Sequence, residues 1–184
     1  MERARSRYTI LGISDGLFLG LGLALGISFF HAYSLTFASV LLVGVSGALS
    51  NMFATYNAET FTTGQQLAEY KEALFLEEYR PKKLAKVKEA KNIRYATSAF
   101  VFTLIGSLIV LTPYAVFYLT GGSAIITASL VSLVVSLAIL GFIGSYHEAK
   151  LKNKIKSGLK TIGIGLSIAA LSAFIGFALS FLLV

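Results

Sequence analysis

Five long apolar runs, parted by short polar or basic stretches, set the pattern of this chain. Each run exceeds the roughly 20 residues that an α-helix needs to cross a bilayer at about 1.5 Å per residue. The pattern predicts spanning helices over 9–32, 35–59, 95–119, 122–146 and 159–183. It divides the chain into a first pair of spans (1–59), a hydrophilic but helix-prone segment (60–94) and three further spans (95–184). The linkers at 31–34 and 120–123 are short and uncharged, so spans one and two form one hairpin and spans three and four another. The expected fold class is an all-α integral membrane protein with five transmembrane helices.

Charge fixes an orientation for that bundle. All 16 Lys and Arg lie outside the apolar cores. Three stand at the N-terminus (Arg3, Arg5, Arg7), eight between spans two and three, and five between spans four and five (Lys150, Lys152, Lys154, Lys156, Lys160). Basic loops stay on the cytoplasmic side, which puts the N-terminus in the cytoplasm and Val184 outside. Arg3, Arg5 and Arg7 look like the start of a signal peptide. The apolar run behind them is too long for one, and it has no convincing cleavage site.

Composition agrees with this picture. The 184 residues are 55% hydrophobic and only 14% charged, with a mean hydropathy of +0.75. A soluble domain carries about 25% charged residues. The net charge of +7 follows from membrane topology, and no nucleic-acid partner is expected. The absence of cysteine excludes disulfides and thiolate metal sites. Small size and the missing targeting extensions point to the plasma membrane of a prokaryote.

Asp15 is the most informative residue, the only acid or base well inside a predicted span. A charge at mid-bilayer costs on the order of 3 kcal/mol even on lenient scales, and such residues mark ion or proton paths. Gly12, Gly16 and Gly20 recur at four-residue spacing around it, a small face for close helix packing that also leaves room beside the carboxylate. Span two runs inward, so its last turns lie level with Asp15. Asn51, Thr55 and Glu59 recur there at about one turn, with Met52 and Tyr56 on an adjacent face. A carboxylate, an amide oxygen, a hydroxyl and a thioether suit Fe²⁺ or Mn²⁺ better than Mg²⁺. An ordinary polar helix end would carry the same residues. In the hydrophilic segment, Glu69 and Glu72 are one turn apart and Glu77 and Glu78 follow, a row that could collect cations. The interleaved lysines equally fit a solvated helix. His31 and His147 sit at opposite ends of the spans, with no nucleophile pattern to link them, so no enzyme is expected.

Together these residues resemble the vacuolar iron transporter family. The stretch Arg7-Tyr8-Thr9-Ile10-Leu11-Gly12-Ile13-Ser14-Asp15-Gly16-Leu17 is similar to that family's basic start followed by Gly-x-x-Asp-Gly-Leu. Gly47-Ala48-Leu49-Ser50 resembles its Gly-Ala-x-Ser, and Gly106-Ser107-Leu108 through Pro113-Tyr114 its third-span pattern. Ser157-Gly158-Leu159-Lys160 leading into Gly163-Ile164-Gly165 looks like the start of its fifth span. The chain departs from the family where Asn51 replaces the usual Met, with Met52 displaced by one, and where Ala54-Thr55-Tyr56 replaces Gly-Glu-Tyr.

The resemblance implies a five-helix homodimer with a metal path between the first two helices of each protomer. It also implies export of Fe²⁺ or Mn²⁺ from the cytosol in exchange for protons, with Asp15 as the intramembrane aspartate. The metal is cargo, and no cofactor is expected. A non-transporting membrane scaffold and a carrier of another small cation are the alternatives that the residues alone leave open.

Overall fold

The computed structural model describes residues 2–30, 33–73, 82–120, 125–146 and 151–183, with side chains described for 7–30, 34–69, 86–120, 125–146 and 151–182. It contains five helices: α1 (Glu2–Ser28), α2 (Tyr33–Ala73), α3 (Lys82–Leu119), α4 (Ile125–Tyr146) and α5 (Leu151–Leu183). Among the described residues there is no strand. Each helix is long and apolar enough to cross a membrane, so this is a multi-pass integral membrane protein.

The helices outrun the spans that hydropathy marks. α2 continues past residue 59 to Ala73, α3 begins at Lys82 rather than 95, and α5 begins at Leu151 rather than 159. A helix has no reason to stop where lipid gives way to water if its residues still favour helix. From Gln65 to Ala73 the sequence is rich in Ala, Glu, Gln and Lys, which do. At 41 residues, α2 is about 60 Å long, roughly twice the hydrocarbon thickness. Much of the segment 60–94 is therefore a continuation of two spanning helices. α1 shows the opposite deviation and ends at Ser28, four residues before 32. Ser28 Oγ donates to the Leu25 carbonyl at 2.8 Å, and the Phe30 amide closes a turn on the Ile27 carbonyl at 2.9 Å.

α1 is the hub and packs against each of the other four helices. Lipid is as apolar as leucine, so the hydrophobic effect does little to join helices inside a bilayer. Close backbone approach and interhelical hydrogen bonds do more. Both are present. A Cβ on Gly12 would lie 3.0 Å from the Ala99 carbonyl oxygen, and one on Gly16 would overlap the Thr103 carbonyl. Gly20 faces Val110, so all three glycines of the stripe look at α3. Gly106 of α3 answers with its own Cα against Gly16. At the far end of the bundle Gly176 of α5 crosses Gly26 at backbone contact, and Gly158 of α5 crosses Gly141 of α4.

Leu17, Leu21 and Ala24 of α1, Val110, Leu111 and Tyr114 of α3, and Ala128 and Leu140 of α4 fill the centre. Ser132 Oγ of α4 donates to the Val110 carbonyl at 2.8 Å, and the Tyr114 hydroxyl donates to Ser129 Oγ at 2.9 Å. The outward faces carry Leu42, Phe53, Phe142 and Phe174, all exposed, as lipid requires.

Candidate functional site

Asp15 lies on the face of α1 next to the glycine stripe, turned toward α2. The Asn51 side-chain nitrogen donates to Asp15 Oδ2 at 3.0 Å and to Thr103 Oγ1 at 2.8 Å. One amide thus joins α1, α2 and α3 at the depth of the carboxylate. It presents its nitrogen to Asp15, where metal ligation would need its oxygen. Thr103 is fully buried. One turn along α3, Ser107 Oγ is within hydrogen-bond distance of two carbonyls, Gly16 at 3.3 Å and Thr103 at 3.2 Å.

The carboxylate is half-buried and lines an open cleft of about 590 Å³. Phe18 and Leu19 of α1, Gly47, Ser50, Asn51 and Ala54 of α2, and Ile168 of α5 complete the lining. A charge at this depth is costly unless water, a cation or a polar partner reaches it. The Asn51 amide is one such partner, and the cleft admits the others. Gly47 lets Leu19 of α1 pack closely on α2 at the cleft wall: a Cβ on Gly47 would lie 2.6 Å from Leu19 Cδ1.

The other expected residues lie elsewhere. Met52 is not part of the cleft lining, because one step along a helix turns a side chain by about 100°. Glu59 is eight residues beyond Asn51, about 12 Å down the helix. It accepts a hydrogen bond from the Tyr8 hydroxyl, and the Tyr8 ring rests on Tyr95 with centroids 5.1 Å apart. These three residues belong to a second cavity, on the N-terminal side of Asp15 along α1. Glu69 is exposed on α2. The side chain of Glu72 and the whole of Glu77 and Glu78 lie outside the described residues. Among the described residues no three His, Asp or Glu side chains come together as a metal cage.

Sequence reasoning missed Thr103, Tyr8 and Tyr95. Thr103 was findable: it lies eight residues into the predicted third span, as Asp15 lies about six into the first, so the same matching by depth that brought out Asn51, Met52, Thr55 and Glu59 pairs these two. Tyr8 carried a weaker signal, as an aromatic at a membrane interface is commonplace.

The model of the VIT family matches residues 54–177, from the inner turns of α2 to near the end of α5. The match begins three residues after Asn51, so the likeness at Asp15 stands on its own motif. An uncharacterized protein of Methanocaldococcus jannaschii is 27% identical over 169 residues, spanning 90% of this chain and 85% of the relative. With well over half of its length matched, on five membrane-spanning helices in the expected order, the chain belongs to the VIT family, the vacuolar iron transporters.

Proposed function

We propose that this protein carries Fe²⁺ or Mn²⁺ out of the cytosol in exchange for protons, with Asp15 as the group that meets both. The observation that carries this reading is a carboxylate at membrane depth that lines an open cleft and, among the described residues, has one donor upon it. A metal-binding carboxylate must be deprotonated, so metal and proton compete for the same oxygens. Arrival of a proton from the far side releases the ion and resets the site. Asp15 and the Ser50 hydroxyl supply hard oxygens, and rotation of the Asn51 amide adds a third. Three ligands without a cage suit a site that must let its ion go.

The cleft opens on the flank of α1 and α2, where a single copy would expose the carboxylate to lipid. A homodimer closed over this flank removes that exposure and brings a second Asp15 to the path. The bilayer is the plasma membrane of a prokaryote, and the ion is cargo passed along without a chemical step.

Reconstitution into liposomes tests the reading. Mn²⁺ or Fe²⁺ uptake driven by a pH gradient is expected from the native protein and not from Asp15→Asn. Full uptake by that variant would remove Asp15 from the mechanism.

A further inference from the structure

The cavity cytoplasmic to Asp15 has a chemistry of its own. Its volume is about 380 Å³, and α1, α2 and α3 all contribute to its walls. Arg7, Lys88 and Lys91 bring three positive charges, and among the described residues of the lining Glu59 brings the one negative charge. That carboxylate is already engaged by the Tyr8 hydroxyl at the cavity's membrane end.

The remaining walls are rich in donors. Thr62, Thr63 and Gln66 come from one side and Asn92 from the other. Asn92 is buried, and its amide reaches Thr63 Oγ1 at 3.4 Å. Lys88 Nζ bridges to Gln66 Oε1 at 3.2 Å, while Lys91 Nζ stands 5.7 Å from the Tyr95 ring centroid, within cation–π range. Lys88 and Lys91 are thus held at a concave site by polar and aromatic contacts. A divalent metal would be repelled from it.

We propose that this cavity binds a phosphate-bearing anion at the cytoplasmic mouth of the protein. Convergent Lys and Arg with hydroxyl and amide donors are the chemistry that recognises phosphate oxygens. Its level suits the same ligand: Tyr8 is seven residues from Asp15 toward the cytoplasm, about 10 Å along α1, where lipid headgroups lie. Basic pockets between transmembrane helices on this side hold anionic headgroups. The phosphate comes either from an anionic phospholipid or from a free phosphate in the cytosol.

Binding to the full-length protein in neutral detergent separates these cases. One arm titrates phosphatidylglycerol, with phosphatidylcholine as the uncharged comparison; the other titrates inorganic phosphate, with melting temperature and native mass spectrometry as readouts. The arm that binds identifies the source. A double variant Lys88→Gln/Lys91→Gln is expected to weaken that binding by roughly tenfold or more, the worth of a charge-assisted hydrogen bond. Lys88→Arg/Lys91→Arg is expected to restore it. Lys154→Gln/Lys156→Gln removes the same charge from α5, outside the cavity, and is expected to bind as the native chain does. Equal losses in the two glutamine variants would reduce the effect to general surface charge and overturn the site. Failure of both ligands to bind would do the same.

Discussion

Asn51 donates its side-chain amide to Asp15 at 3.0 Å, and the same nitrogen reaches Thr103 at 2.8 Å. Removing it as Asn51→Ala takes a donor from the carboxylate and unties α2 from both neighbours. The expected cost is about 0.5–2 kcal/mol, since interhelical hydrogen bonds in membranes are modest. Thermal unfolding in detergent measures it. An unchanged melting temperature would mean that the amide does not tie the three helices.

Gly16 and Gly64 offer a matched pair on the same question of backbone approach. A methyl group on Gly16 would overlap the Thr103 carbonyl and lie 2.9 Å from both Gly106 Cα and the Ser107 nitrogen, all backbone or nearly so. Gly16→Ala is therefore expected to destabilise by about 1–3 kcal/mol, the usual range for overpacking. Gly64 has nothing within 4 Å of such a methyl. Gly64→Ala is expected to raise stability by up to about 1 kcal/mol, the helix-propensity gain alone. Similar melting temperatures for the two variants would contradict the packing at Gly16.

Two buried serines one turn apart on α4 are expected to respond with opposite signs. Ser132 donates to the Val110 carbonyl of α3, whereas Ser136 Oγ is buried with no partner among the described residues. Ser132→Ala is expected to cost about 1 kcal/mol, the net worth of one hydrogen bond. Ser136→Ala removes a desolvated hydroxyl and is expected to be neutral or stabilising by about 1 kcal/mol. Unfolding curves compared side by side decide this, and a larger loss at Ser136 than at Ser132 would contradict it.

Tyr8, near the start of α1, and Glu59 of α2 are joined by a single hydrogen bond. Tyr8→Phe and Glu59→Gln are each expected to lower stability by about 1 kcal/mol, and the double variant by little more than either. Full additivity in that cycle would show that the two side chains act separately.

The number of spans and their order were legible because a bilayer demands long apolar runs, and only five exist. Asp15 was legible for the same reason: it breaks such a run. The stretch of α2 that holds its partner Asn51 could be found by counting depth along antiparallel helices. What hydropathy could not carry was where helix ends, since α2 leaves the membrane without interruption and reaches Ala73. Nor could it tell Asn51 from Met52, because an apolar background gives no phase by which to choose the face that meets α1. The glycine stripe was visible as a packing face, but its partner could have been any helix until Gly106 was seen across from Gly16.

The contact between Gly16 and Gly106 limits how this molecule can move. Two backbones that touch have no side-chain cushion to slide upon, so α1 and α3 are expected to turn as one rigid body with Asp15 carried on its flank. Under the proposed exchange, alternate exposure of the carboxylate is expected to come from α5, which packs less extensively on that body than α2 does. Spin labels on α1 and α3 would keep a constant separation through the cycle, and a changing one would rule this out.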